Sequence, residues 1–305
     1  MRQHRDEYRE GSGIFKGFDS HRVTVAETEI FARTGGEGPP VLLLHGYPQT
    51  HVIWSQIAED LAADFTIVAP DLRGYGASGK PPTDANHEPY SKRAMARDMV
   101  ELMSALGHEK FFLAGHDRGG RVAYRLTLDH PDRVSRLTTM DIIPTLDQFN
   151  QVTRSSAKGS YHWYFLVQPA PFPETLIAAD AEYFLRHTLD SWVGSPDAFS
   201  EPAMAAYIEA FSNPAMIHAT CEDYRAGISI DCEIDQADVD SGRKITCPML
   251  AMWGEKGRPH KRQGVMDNWR RWAVDVVGQG FDCGHFLPEE APLETAAALR
   301  RFFQS

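Results

Sequence analysis

The chain has 305 residues, 42% of them hydrophobic, which supplies a large core and excludes an intrinsically disordered chain. Its 31 Lys and Arg against 42 Asp and Glu leave a formal charge of −11. That balance argues against a general nucleic-acid or anionic-membrane binder, but not against a small anion held locally by arginines. Cys221, Cys232, Cys247 and Cys283 show no C-x-x-C spacing and read as small buried residues of a reducing compartment, not as a disulfide or zinc framework. The opening "MRQHRDEYREGSG" is charged and has no apolar leader core, and no apolar run is long enough to span a bilayer. A soluble cytoplasmic protein with no metal and no cofactor is expected.

In chain order, "HRVTVAETEIFAR" (21–33) alternates like a half-exposed hairpin, and "PVLLLHG" (40–46) and "FTIVAPDL" (65–72) read as buried strands. "SKRAMARDMVELMSALG" (91–107) has Met95, Met99, Leu102 and Leu106 at helical spacing, with Gly107 suited to its C-terminal end. The strand "FFLAGH" (111–116) runs into the helix "GRVAYRLTLDH" (120–130), and "RLTTMDII" (136–143) follows as the sixth strand. Between about 145 and 240 the alternation stops, and prolines and aromatics mix with helical stretches. It resumes with "PMLAMWG" (248–254), "AVDVVGQG" (273–280) and the helix "PLETAAALRRFF" (292–303). The expected architecture is α/β: a mostly parallel, doubly wound sheet formed by 1–144 and 241–305, with 145–240 as an inserted helical cap. Sites in such sheets lie at the carboxyl ends of the strands.

Gly115-His116-Asp117-Arg118-Gly119 has the form of a nucleophile elbow, with a carboxylate where many hydrolases carry serine. An Asp that merely caps the next helix is the plainer alternative. His45-Gly46-Tyr47-Pro48 ends an earlier strand, where this architecture places an oxyanion-binding amide, here Tyr47, beside the Arg118 amide. His285, in "DCGHFLPEEAP", stands between the last strand and the last helix, where the general base belongs. Its acid is Asp141 after the sixth strand, or else Glu255 in "MWGEKGRP". In a WG-x-x-D pattern the acid would fall at position 257, which is Gly257.

An ionised Asp117 displaces a leaving group from sp³ carbon and forms an alkyl ester, which water activated by His285 then hydrolyses. Alkyl halides and epoxides are the two substrate classes that call for this chemistry. Arg118 and Arg121 lie three residues apart on the following helix. They can clamp a substrate carboxylate, unless they are surface residues paired to Asp129 or Asp132.

The stretches "LLLHGYPQTHVIW", "AGHDRGGRVAYRL", "DIIPT", "YHWYFLVQPAPFPE", "CEDYRAG" and "GHFLPEEAP" together make the chain resemble the fluoroacetate (haloacetate) dehalogenases of the α/β-hydrolase superfamily. The resemblance implies Asp117 as nucleophile, Asp141 and His285 as acid and base, and Arg118 and Arg121 as carboxylate clamp. It implies His162, Trp163 and Tyr224 as donors to the departing halide, His45 and Trp192 as pocket residues, a haloacid substrate and a homodimer. Without it, His162 and Trp163 read as cap core and Tyr224 as a helix-surface residue. The cap around "SWVGSPDAF" is short for that family, and an epoxide hydrolase built on the same Asp, His and Asp remains the alternative.

Overall fold

The computed structural model describes residues 14–256 and 264–305; the opening segment and Gly257 lie outside the described residues. The strands are β1 (Asp19–Val25), β2 (Thr28–Gly35), β3 (Pro40–Leu44), β4 (Thr66–Pro70), β5 (Phe111–His116), β6 (Val134–Met140), β7 (Met249–Gly254) and β8 (Val276–Phe281). They form one sheet in the order β1-β2-β4-β3-β5-β6-β7-β8. The β1–β2 hairpin and the β2–β4 pair are antiparallel, and every pair from β4 through β3 to β8 is parallel.

The near-continuous apolar runs reflect burial on both faces. Leu42 and Leu44 of β3 share a core with Met95, Met99 and Leu102 of α2 (Lys92–Ala105) and with Val122 and Leu126 of α3 (Arg118–Asp129). Their neighbours Val41 and Leu43 point the other way, onto Ile57 and Leu61 of α1 (Ser55–Leu61) and Leu299 and Phe303 of the C-terminal helix (Pro292–Gln304). Each fully buried aliphatic side chain contributes roughly 1.5–3 kcal/mol, so the period-two pattern holds the sheet between two helical layers. The side chain of Ser91 accepts from the Ala94 amide to start α2, and Gly107 at φ 89° follows its last turn.

Between β6 and β7 the chain leaves the sheet for eight helices: α4 (Thr145–Asn150), α5 (Arg154–Gly159), α6 (Tyr161–Phe165), α7 (Phe172–Ala179), α8 (Ala181–Trp192), α9 (Glu201–Phe211), α10 (Pro214–Ile228) and α11 (Ile230–Ser241). After β7 come α12 (Val265–Trp272), α13 (Leu287–Glu290) and α14 (Pro292–Gln304). Buried polar ties bind the helical insertion to the sheet layers. Arg125 of α3 pairs with Asp235 and Asp238 of α11, and the Trp272 indole donates to Asp147 of α4.

Two expectations change. The sixth strand stops at Met140, because Asp141 turns to φ 53°, so Asp141 begins the loop. All four cysteines are free, but only Cys221 and Cys283 are buried; Cys232 and Cys247 are half-buried. Among the described residues, no helix is long and apolar enough to cross a membrane.

Candidate active site

Asp117 sits in the turn between β5 and α3 at φ 47°, ψ −117°, a conformation that costs a non-glycine residue of order 1–3 kcal/mol. Its side chain does not cap α3, so the plainer alternative does not describe it. The turn is possible because the chain packs backbone to backbone around it. A Cβ at Gly119 would lie 2.2 Å from the His45 carbonyl oxygen, and one at Gly46 would lie 2.5 Å from the Asp117 Cβ. The Tyr47 amide, next to Gly46, donates to Asp117 Oδ1 at 3.0 Å. The opposite oxygen, Oδ2, lies 3.8 Å from His285 Nε2, beyond hydrogen-bond reach.

His285 Nδ1 is bonded to Asp141 Oδ2 at 2.6 Å, and Asp141 Oδ1 accepts the Gly254 amide at 3.0 Å. Glu255 is exposed, and its side chain lies over Gly280 of β8 rather than on His285. Asp141 is therefore the carboxylate that orients this ring, leaving Nε2, which has no protein partner, turned to Asp117. Burial raises the Asp141 carboxyl above its usual range, against the lowering effects of His285 and the Gly254 amide. Burial acts the same way on Asp117, but His285, His116, Arg121 and Arg118 together hold it below the usual carboxylate range. Asp117 is thus held as an anion.

Arg118 and Arg121 are buried, not surface residues; Asp129 is paired with Arg93 and Arg125 instead. Arg118 gives Nε and Nη2 to Asp223 of α10, at 3.0 and 2.6 Å, and keeps Nη1 buried without a partner. Arg121 gives Nη1 to the Ile143 carbonyl and the Thr145 hydroxyl, and keeps Nε buried without a partner. Protein oxygens occupy part of each guanidinium: Arg118 is left with Nη1 alone, whereas Arg121 is left with its Nε–Nη2 edge and lines the cavity described below. Both cations act on Asp117 electrostatically.

The three cap residues come together around these cations. The rings of His162 and Trp163 of α6 and Tyr224 of α10 lie 5.2–6.3 Å apart, centroid to centroid. The Arg118 guanidinium is 4.2 Å from the Tyr224 ring, and that of Arg121 is 4.5 Å from Trp163. Tyr224 is fully buried with an unpartnered hydroxyl, not a helix-surface residue.

A cavity of about 690 Å³ opens onto Asp117, Arg121, Asp141, His162, Trp163, Trp192 and His285. Arg118, Tyr224 and His45 are not among its lining residues. The His45 Nε2 accepts the Leu72 amide at 3.0 Å. Trp192 does line the cavity, and its carbonyl accepts the His285 amide at 3.1 Å.

Several contributors escaped the sequence. Asp223 also binds Lys92 and accepts from the Tyr75 hydroxyl at 2.6 Å, so one cap carboxylate gathers three donors of the core. Asp223 precedes Tyr224 in "CEDYRAG", and the available signal was that a buried arginine requires an acid. The Tyr47 hydroxyl is also buried and unpartnered, and the Tyr47 ring lies 5.3 Å from that of Tyr224, centroid to centroid. Among the described residues, Glu174, His218 and Glu222 also cluster within 4.8 Å, but Arg225 bonds both carboxylates and makes the group an ion network.

Residues 39–292 match the model of the alpha/beta hydrolase fold. The chain is 43% identical to a fluoroacetate dehalogenase of Burkholderia sp over 95% of both chains. It is 37% identical to a soluble epoxide hydrolase of Corynebacterium sp. (strain C12), over 93% of this chain and 96% of that one. Among solved structures, ALR0039 of Nostoc sp PCC 7120 superposes with a TM-score of 0.93 at 52% identity, covering 95% of this chain and 99% of that chain. Fold, elbow and full-length similarity agree, and the chain belongs to the alpha/beta hydrolases.

Proposed function

We propose that this hydrolase cleaves the carbon–halogen bond of haloacetates, fluoroacetate among them, to give glycolate and halide. The observation that carries the reading is the pair of buried cations beside an anionic nucleophile. Arg118 Nη1 and Arg121 Nε have no protein partner and both cations act on Asp117, which suits a substrate that is itself an anion. The similarity to the Burkholderia fluoroacetate dehalogenase supports the same choice.

In this reading the arginines hold the substrate carboxylate. Asp117 Oδ2, the oxygen not held by the Tyr47 amide, attacks the α-carbon. The carbon–halogen bond breaks as the carbon–oxygen bond forms, and His162, Trp163 and Tyr224 donate to the departing halide. His285 Nε2 then takes a proton from water as the water oxygen adds to the Asp117 carboxyl carbon, and Asp141 stabilises the imidazolium. The tetrahedral oxyanion rests on the Tyr47 and Arg118 amides. Its collapse returns the Asp117 carboxylate, and His285 protonates the leaving glycolate oxygen. The sum is one haloacetate and one water giving glycolate, halide and a proton.

The test is product analysis with fluoroacetate, chloroacetate and styrene oxide. Halide and glycolate in equal amounts are expected from the first two. In a single turnover with excess enzyme in ¹⁸O water, the glycolate should carry no label, because its new oxygen comes from Asp117. Label in that first product would overturn the ester route. A second reading, epoxide hydrolysis, draws on the unpartnered Tyr47 and Tyr224 hydroxyls, which suit protonation of an epoxide oxygen, and on the Corynebacterium relative. Diol without halide would establish it in place of the first.

A further inference from the structure

Glu289 lies on α13, four residues after His285, and it is buried with no ion pair among the described residues. Its Oε1 accepts from the Tyr207 hydroxyl of α9 at 2.8 Å, and its Oε2 lies 2.6 Å from the side-chain amide of Gln49. Gln49 stands two residues beyond Tyr47, and its own amide closes a turn onto the Gly46 carbonyl at 2.9 Å. One carboxyl thus joins the loop that carries the Tyr47 amide, the cap helix α9 and the segment that follows His285.

Glu289 can meet Gln49 in either protonation state. As an anion it accepts from Nε2; as a carboxylic acid it donates to Oε1 with the amide turned over, because the two ends of an amide are alike in size and are assigned by the bonds around them. In both states the other carboxyl oxygen accepts from Tyr207.

The neighbouring Glu290 accepts three backbone amides, Gly194, Gly284 and Phe286, at 2.7–2.9 Å, as an anion does. A second charge beside it would be costly. Among the described residues, no packed element offers a cation in return. On α9 the facing titratable group is Tyr207, while Glu201 and Glu209 are exposed. In the 51–54 turn, His51 is committed to Asp71, and the His285 ring is committed to Asp141. Glu59 and Asp60 of α1 and Glu294 of α14 are exposed.

We propose that Glu289 is a positioning residue that works as a neutral carboxylic acid, bonded to Gln49 and Tyr207 so that the Tyr47 loop, the cap and the His285 segment hold one register. Burial, first, and then the charge of Glu290 act in the same direction and push the Glu289 carboxyl up to about 8, against the lowering bonds from Gln49 and Tyr207. Ionisation above that pH would place an unneutralised charge at the junction and loosen the amide that holds Asp117.

Glu289→Gln retains a donor and an acceptor but does not ionise, so it tests the proton rather than the shape. A group whose folded value is raised contributes stability that is full below its unfolded value and lost as pH rises through the folded one. The melting temperature of Glu289→Gln minus that of the parent should therefore climb by several degrees between about pH 4.5 and 8 and then level. A difference that stays flat across that range overturns the proposal. This readout uses no substrate, so it stands apart from the proposed reaction, on which only the activity arm rests. There, parental turnover of chloroacetate should fall about tenfold from pH 7 to 9, as one titration near 8 requires. That fall should be absent in the variant. Should Glu289→Gln not fold, Tyr207→Phe removes a donor to the ionised form and should move the parental fall to higher pH; an unmoved or lowered midpoint overturns the assignment.

Discussion

Arg118 of α3 and Asp223 of α10 form a fully buried ion pair joined by two side-chain bonds, and the same guanidinium keeps Nη1 unbonded while its charge acts on Asp117. The cap therefore orients a cation of the core. The pair holds Asp223 well below the usual carboxylate range: burial opposes this, but Arg118 and Lys92 outweigh it. Asp223→Asn removes the counter-charge of Arg118 and leaves Lys92 with Asp231 alone. The expected loss of stability is about 3–5 kcal/mol, read from urea denaturation at pH 7.

Arg121 is fixed by the Ile143 carbonyl and the Thr145 hydroxyl through Nη1, so its Nε direction is preset. A lysine ammonium carries all its donors on one nitrogen, so it cannot hold that anchor and also place a donor where Nε stands. Arg121→Lys should lower kcat/KM for haloacetates by about 10–100-fold, mainly through KM. An equal loss with an uncharged haloalkane would show that Arg121 serves the fold instead of the substrate carboxylate.

At Gly46, an added methyl would meet Asp117 Oδ1 and the Arg118 amide, both at 2.7 Å. The obstacle is backbone and a carboxylate held by the Tyr47 amide, so neither yields easily. Gly46→Ala should retain the circular dichroism of the parent and lose activity by more than about 100-fold, because the Tyr47 amide no longer reaches Asp117. Steady-state rates on chloroacetate decide this, and a near-parental rate would remove the Tyr47 amide from the mechanism.

His45 and His116 are both buried neutral. Burial lowers the first to about 4 and the second to about 3, despite the opposing influence of Asp71 on the first and of Asp117 on the second. The unfolded chain takes up protons near the ordinary histidine value, and the folded chain does not until far lower pH. Their contribution is present above about pH 6.5 and is lost as pH falls toward 4 and then 3, at about 1.4 kcal/mol per pH unit for each. Urea midpoints measured from pH 7 to 4 should fall accordingly, and His116→Gln should reduce the slope.

The elbow, the HGYP loop and the strand–helix alternation were legible because each depends on neighbours in the chain. The glycines of "GHDRGG" and "HGYP" mark close backbone approaches whatever surrounds them, and period-two apolar runs mark two-sided burial. Less legible were the contents of the cap. Tyr224 looked like a surface residue because its partners, the Arg118 guanidinium and the rings of Tyr47, His162 and Trp163, come from other segments. His45 read as a pocket residue by its place in the motif, while its ring in fact faces the Leu72 amide.

The sequence by itself determined the α/β alternation, an aspartate at the elbow and two arginines one helical turn apart, all matters of local spacing. Tertiary structure alone decided which carboxylate orients His285 and how much of each arginine is left for a ligand. Asp141 meets His285 across 144 residues, and Asp223 meets Arg118 across 105. Pairings at that range depend on which elements the folded sheet brings side by side, and no local pattern in the chain encodes them.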